Sequence, residues 1–93
     1  MAGVNDVVSL VTVNGEYIGK FVSEDADGVT LKDPHMVTPN GESIGFLPAV
    51  CLTGEQKPAQ VTFNKACVAL VIKSQEEVAK SYREATSGLV LPS

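Results

Sequence analysis

The sequence has no tryptophan, one histidine and few aromatic residues, and these shortages limit the functions that the chain can perform. Aromatic residues make up 5% of the 93 residues, whereas hydrophobic residues together make up 44%. A core built mostly of valine, leucine, isoleucine and alanine suits a small barrel or sandwich, and this length has room for one domain. Such a modest core leaves little stability to spare for a wide catalytic cleft.

Two cysteines and one histidine are too few residues for a typical metal site, and they offer little for a nucleophile–base pair. Cys51 and Cys67 form no Cys-x-x-Cys pair, and His35 is the only imidazole available to either of them. Zinc sites need several such ligands, and a cysteine nucleophile needs an adjacent base. We therefore predict no metal, no cofactor and no catalytic residue. Both cysteines lie in apolar runs and are predicted to be small buried hydrophobic residues.

Long apolar runs and clusters of positive charge are also missing. No run reaches the roughly twenty residues of a membrane helix, and no stretch has the pattern of a signal peptide, so we expect no membrane association and a reducing cytoplasm. The net charge is −4, and the seven basic residues are scattered singly. Any phosphate site would therefore have to combine lysines from several copies of the chain.

The residues that are present predict a β-rich order. Val7–Val13 has apolar residues at both parities, which indicates a strand covered on both faces. Asn14-Gly15 predicts a type I′ hairpin turn between this strand and Glu16–Glu24, and β-branched and aromatic residues favour both strands. Asp25–Gly28 predicts a second turn, after which Val29–Lys32 lies beside the second strand. The chain thus begins with a three-strand meander.

Glycine and proline indicate where strands bend or end. Gly19, in the middle of the second strand, predicts a sharp bend or the close approach of another backbone. Pro34 either ends the third strand or makes it an edge or bulged segment through His35–Thr38. Asn64-Lys65 predicts a tight turn or kink. Further strands are predicted at Ser43–Leu52, Gln60–Phe63 and Ala66–Lys73.

One helix is predicted, at Ser74–Gly88. It begins with the Ser-x-x-Glu spacing of a capping box, and Val78, Tyr82 and Ala85 recur at helical spacing. This stripe is too narrow for a separate core, so the helix is expected to be an accessory on the sheet or on a neighbouring subunit. The predicted organisation is a flexible leader (1–6), a β-domain (7–73) and a C-terminal helix and tail (74–93).

The first hairpin resembles the first motif of the Sm and Sm-like (Lsm) family. The resemblance consists of an apolar run, Asn-Gly, a strand with a central glycine, and then Asp, Gly and another apolar run. The matching positions are Val11, Val13, Asn14, Gly15, Gly19, Phe21, Asp25 and Leu31. In addition, FNKACVALV at Phe63–Val71 is similar to the second motif of the bacterial Sm-like RNA chaperone Hfq, which has Tyr-Lys-His in the place of Phe63-Asn64-Lys65.

The resemblance implies a mainly β fold, a small and strongly bent five-stranded open barrel of the Sm-like or SH3-like kind, followed here by a C-terminal helix. In the family such barrels form rings through the fourth strand of one subunit and the fifth of the next, and RNA binds at loops that face the pore. The implied partners are a homo-oligomeric ring of five to seven subunits and single-stranded RNA. The candidate RNA-binding residues are Asp25, Asp27, Gly28, Asn64 and Lys65.

The chain also departs from the family pattern. Its first-motif loop is one residue short, the asparagine that grips a base is absent, and the Arg-Gly of eukaryotic second motifs is Lys65-Ala66. Asp25, Asp27 and Asn64-Lys65 also suit ordinary solvated turns. The alternative function is therefore an oligomeric structural or scaffolding module without nucleic-acid binding. An enzyme ranks third, because the sequence has no nucleophile–base pair, metal constellation or glycine-rich phosphate loop before a helix.

Overall fold

A computed structural model describes residues 3–51 and 53–86. In these residues the chain is mainly β, as predicted, with six strands, a short 3₁₀ turn and one helix near the C-terminus. The strands are β1 (Val7–Thr12), β2 (Gly15–Glu24), β3 (Gly28–Asn40), β4 (Ser43–Leu47), β5 (Gln60–Asn64) and β6 (Val68–Lys73). The 3₁₀ turn spans Lys65–Cys67, and helix α1 spans Glu76–Thr86. The predicted end of the helix at Gly88 and the tail after it lie outside the described residues.

The strands form one antiparallel sheet in the order β4-β3-β2-β1-β6, and β5 also pairs with β3. The predicted meander of β1, β2 and β3 is confirmed. β3 has 13 residues, so its outer edge has room for two strands. β5 pairs with its first part and β4 with its last part. The described part of the chain therefore has six strands, the number of strand segments predicted along the sequence, whereas the family resemblance implied five.

β3 continues through Pro34 by means of a bulge. The register between β2 and β3 shifts between Ile18 and Lys20, which leaves one extra residue on β3 at this level. Asp33, within the bulge, has a φ of 49°, a left-handed conformation that aspartate tolerates better than most residues. Of the two alternatives for Pro34, the bulged continuation is the one that forms.

Gly19 lies opposite this bulge, where two backbones approach closely. A Cβ atom built on Gly19 would be 3.0 Å from Cβ of Leu31 and 3.2 Å from the carbonyl oxygen of Lys32. Contacts this short would force the neighbouring strand to shift. The close approach predicted for Gly19 is confirmed.

The turn between β1 and β2 differs from the predicted type I′ turn. Thr12 pairs with Gly15, so Val13 and Asn14 occupy the two turn positions, one residue earlier than predicted. The positive φ, 146°, belongs to Gly15 and not to Asn14. The reason lies in Thr12, whose hydroxyl oxygen accepts a hydrogen bond from the Asn14 N–H (3.1 Å) and whose hydroxyl donates to the Gly15 carbonyl (2.9 Å).

Apolar residues cover both faces of β1, as its sequence predicts. We call the cluster under one face the sheet cluster and the cluster under α1 the helix cluster. The buried residues of the sheet cluster are Val8, Leu10, Val29 and Leu31, packed against Tyr17, Phe21, Phe63, Val68 and Val71. The buried residues of the helix cluster are Val7, Ile18, Ala79 and Tyr82, packed against Val37, Phe46 and Val78.

Helix α1 is therefore more than an accessory, since it supplies half of the buried residues of the helix cluster. Its buried face also differs from the predicted stripe, because Ala79 is buried and Ala85 is exposed. The predicted capping box does not form. The Ser74 hydroxyl is instead hydrogen bonded to the Ser9 hydroxyl at 2.8 Å, a contact between residues 65 positions apart.

Tyr82 joins α1 to the bulge of β3. Its side chain is fully buried, and its hydroxyl donates a hydrogen bond of 2.6 Å to the carbonyl oxygen of Asp33. The ring also makes edge-on contacts with His35 and Phe46, at centroid distances of 5.6 and 6.1 Å. Burial of the hydroxyl, together with the nearby negative charge of Asp33, raises the pKa of Tyr82 well above its ordinary value of 10.0.

The prediction that both cysteines are buried is wrong, since both thiols are exposed. Strand β4 ends at Leu47, before Pro48, because proline has no N–H for the ladder. Cys51 therefore lies beyond the sheet and not in the predicted strand Ser43–Leu52, while Cys67 ends the 3₁₀ turn. Among the described residues, no helix is both long and apolar enough to span a membrane.

Candidate functional site

The fold brings together the two loops that contain the predicted site residues. Gly28, at the start of β3, pairs with Asn64, at the end of β5. The backbone N–H of Lys65 donates a hydrogen bond to the carbonyl oxygen of Asp27 at 3.2 Å. Asp25–Gly28 and Asn64-Lys65 therefore lie side by side, and we call this arrangement the two-loop site.

Asp25 holds the first loop in shape. Its carboxylate Oδ1 accepts hydrogen bonds from the backbone N–H groups of Asp27 (2.8 Å) and Gly28 (3.2 Å). Its own N–H donates to the Gly28 carbonyl at 3.0 Å. These bonds form the Asx turn that the residue type favours, so the predicted turn is confirmed, and the side chain of Asp27 remains exposed beside it.

Asn64 shapes the second loop in a similar way. Its side-chain oxygen accepts a hydrogen bond of 2.8 Å from the backbone N–H of Ala66, which caps the 3₁₀ turn. The side-chain NH₂ group carries two further donors that this cap does not use. Asn64 can therefore hold the turn and still donate hydrogen bonds to a ligand.

Lys65 forms an ion pair that the sequence did not indicate. Its Nζ lies 2.6 Å from Oε2 of Glu24, the last residue of β2, and 47% and 41% of the two side chains are exposed. In the sequence, the only indication that Glu24 belongs to this site is that it immediately precedes the Asp25 turn. An exposed pair of this kind contributes about 0–1 kcal/mol, so a competing anion can replace Glu24 at small cost.

The backbone between the two loops is tightly packed. A Cβ on Gly28 would overlap the carbonyl oxygen of Phe63 and lie 3.1 Å from Cγ2 of Thr62, so only glycine fits at this crossing. The Phe63 ring stacks at a tilt on Tyr17, with centroids 4.9 Å apart, and packs against the sheet cluster. Phe63 is therefore part of the core and is not a free platform for a base.

The two-loop site is an exposed polar surface with mixed charge. Glu24, Asp25 and Asp27 contribute three carboxylates, and Lys65 contributes one ammonium group. Among residues 3–51 and 53–86, no group of three or more His, Cys, Asp or Glu side chains could hold a metal ion. The site can form hydrogen bonds through Asn64 and the backbones of the two turns. Its lysine can also exchange Glu24 for another anion.

No protein-family model matches the sequence, and the search of curated proteins finds no match.

Proposed function

We propose that the chain is an Sm-like, ring-forming protein that binds single-stranded RNA at the two-loop site. The observation that carries this proposal is the hydrogen bond between the Lys65 N–H and the Asp27 carbonyl. It joins the two segments that the family resemblance associates with RNA, although they are distant in the sequence. A strand of RNA that contacts one loop would therefore meet the other.

The path of the chain supports a strongly bent open barrel. β5 lies on the β3 side of the sheet and β6 lies on the β1 side, yet only the three residues of the 3₁₀ turn separate them. So short a connection requires the sheet to curl until its two sides approach each other. Phe63 of β5 and Val71 of β6 accordingly pack against the same sheet cluster.

The unpaired edges of β5 and β6 support ring formation. In the described residues β5 pairs only with β3, and β6 pairs only with β1. On β6, Leu70 and Ile72 are 47% and 60% exposed. An open edge with apolar side chains favours pairing with another chain, and head-to-tail pairing of β5 with β6 around an axis would cover both of these edges in every subunit. A ring of five to seven subunits is the closed form of this contact.

A ring would increase the affinity for RNA, because it would combine several weak sites. Each subunit supplies one Asn64 and one Lys65, and a closed ring would repeat both around its axis, so contacts with one RNA strand would act together. Phosphate groups would replace Glu24 as the partner of Lys65. The carboxylates of Asp25 and Asp27 repel phosphate, so we expect low affinity and strong salt dependence.

The second candidate is an oligomeric scaffold that binds no nucleic acid. The Lys65–Glu24 ion pair favours it, because this contact of 2.6 Å occupies the one lysine on the two loops. The scaffold would use the same strand edges and the same ring. The two candidates therefore differ in RNA binding and not in assembly.

The test combines the mass of the native assembly with binding of short uridine-rich and adenine-rich RNA at low ionic strength. Lys65→Ala should weaken binding about tenfold or more and reduce the slope of log affinity against log salt, because a whole ring of cations is lost. Glu24→Gln should tighten binding, since it frees Lys65. Lys80→Gln, an exposed change on α1, is the control that removes the same charge elsewhere.

The outcomes separate the candidates. A ring mass without RNA binding, even at low salt where attraction is least screened, would favour the scaffold. A monomeric mass at micromolar concentration would contradict both candidates.

A further inference from the structure

A second site lies between the β3 bulge, the end of β4, the segment 53–59 and the last turn of α1. It is a pocket of about 440 Å³, within the range of small-molecule sites. Its polar lining includes Asp33, His35 and Lys57, and its apolar lining includes Phe46, Pro48 and Pro58. Asp33 is five residues along β3 from Gly28, roughly 16 Å at the usual strand rise, so the pocket is separate from the two-loop site.

The pocket is held in shape by the backbone. The N–H of Asp33 donates to the Ala59 carbonyl at 2.9 Å, and the N–H of Lys57 donates to the Pro48 carbonyl at 2.7 Å. Asp33 and Lys57 have φ angles of 49° and 54°, in the left-handed region that residues other than glycine rarely adopt. Such conformations persist where the surrounding structure enforces them, and they are concentrated at functional sites.

The hydrogen bonding of His35 determines which of its nitrogens can accept. Nδ1 lies 2.9 Å from the carbonyl oxygen of Asp33. A carbonyl oxygen only accepts, so Nδ1 carries the proton and Nε2 of the neutral ring is an acceptor. The carboxylate of Asp33 is a second acceptor on the same pocket. Its Oδ2 lies 3.8 Å from Nζ of Lys20, a long ion pair that still allows the carboxylate to accept hydrogen bonds from a ligand. Nε2 of His35 and the carboxylate of Asp33 suit a ligand that presents an amino group with two N–H donors.

The rest of the lining narrows the ligand class further. The Phe46 ring and the two prolines provide apolar surface for a flat ring, and the exposed Lys57 provides a positive charge for an anion. An amino group, a flat ring and an anion occur together in a nucleotide. We propose that this pocket binds a nucleotide whose base carries an exocyclic amino group, with the amino group at Asp33 and His35 and the phosphate at Lys57. This inference goes beyond the RNA proposal and does not depend on ring formation.

The ligand test uses a matched pair, CMP and UMP, which differ where cytosine has an amino group and uracil a keto oxygen. In ¹H–¹⁵N NMR titrations CMP should shift the amide signals of Asp33, His35 and Lys57. UMP should bind about tenfold or more weakly, because its keto oxygen cannot donate and its single N3–H can serve only one of the two acceptors. AMP and IMP form a second pair with the same expected order. Equal binding within both pairs, or no binding at millimolar concentration, would overturn the proposal.

The protein test uses substitutions that keep the left-handed backbone. Asp33→Asn removes the carboxylate but keeps the main-chain carbonyl that Tyr82 and His35 contact, and asparagine tolerates this φ. It should weaken CMP binding about tenfold. Lys57→Asn should reduce CMP affinity to that of cytidine, and Lys80→Gln should leave it unchanged. Unchanged CMP affinity in folded Asp33→Asn protein would overturn the proposal.

A final experiment distinguishes a free nucleotide from a nucleotide that is part of an RNA strand. A short cytidine-rich RNA that binds no more tightly than CMP indicates a free nucleotide. Tighter binding indicates a base within RNA. Both results are read from the amide signals of Asp33, His35 and Lys57. RNA binding that leaves these signals unshifted is binding at the two-loop site, and it indicates that the ligand of the pocket is a free nucleotide.

Discussion

At the scale of single residues, Gly19 shows how little room the fold leaves between β2 and β3. A Cβ at this position would be 3.0 Å from the Leu31 Cβ and 3.1 Å from its Cδ1. We predict that Gly19→Val lowers the free energy of unfolding by about 1–3 kcal/mol, because the added methyl groups overpack the crossing. Urea denaturation measures this change.

Gly3→Val is the matched control for this substitution. The nearest atom to a Cβ on Gly3 is Oδ2 of Asp6 at 3.6 Å, an ordinary contact distance. Its unfolding midpoint should stay close to that of the wild type. An unchanged midpoint in Gly19→Val would mean that the β2–β3 crossing is looser than the contacts around Gly19 imply.

At the scale of elements, α1 is attached to the sheet through the Tyr82 hydroxyl and the carbonyl of Asp33. We predict that Tyr82→Phe lowers the free energy of unfolding by about 1 kcal/mol near neutral pH, because the Asp33 carbonyl loses the hydrogen bond from the Tyr82 hydroxyl and keeps only the one from His35 Nδ1. The ring contacts with His35 and Phe46 would remain. Chemical denaturation measures the loss, and circular dichroism should show that the helix is kept.

The raised pKa of Tyr82 adds a test at alkaline pH. The folded state keeps the phenol protonated above pH 10, where the tyrosine of the unfolded chain ionises. The unfolded state then binds fewer protons than the folded state, so stability decreases as pH rises, by up to about 1.4 kcal/mol per pH unit. Below pH 10 the contribution of Tyr82 is fully present. Stability measured from pH 9 to 11 should fall less steeply in Tyr82→Phe, and parallel curves would contradict the burial of this hydroxyl.

At the scale of the whole molecule, the free edge of β6 is the feature that most requires a partner. Ile72 is 60% exposed on this strand. If the proposed ring forms through this edge, Ile72→Lys should dissociate it, because a lysine on a strand edge opposes pairing with another edge. Light scattering should report the monomer mass, while circular dichroism should still show a β-rich protein.

Val13→Lys is the control for the edge substitution. Val13 is 72% exposed in the turn between β1 and β2, so the same change of an apolar residue to lysine is made away from the β6 edge. Its assembly should match the wild type. An assembly that survives Ile72→Lys would show that β6 is not the contact strand.

The sequence alone determined the features that depend on neighbours in the chain. The β1–β2–β3 meander, the Asp25 turn and the existence of α1 were predicted correctly, because alternation, turn chemistry and helical spacing act over a few residues. The residues of the two-loop site were also singled out, although only through a family resemblance. The structure places these two loops side by side, which the sequence patterns did not specify.

Only the tertiary structure decided the features that join distant residues. β3 continues through Pro34 because Gly19 leaves space opposite the bulge, and Ser74 bonds to Ser9 because α1 returns to β1. Glu24 forms an ion pair with Lys65, which lies 41 residues away in the sequence, and the residues next to either one do not indicate this contact. The pocket beside the β3 bulge likewise combines a strand bulge, a loop and a helix end. Local patterns cannot specify such contacts, because they form only where the packing of the whole chain brings separate elements together.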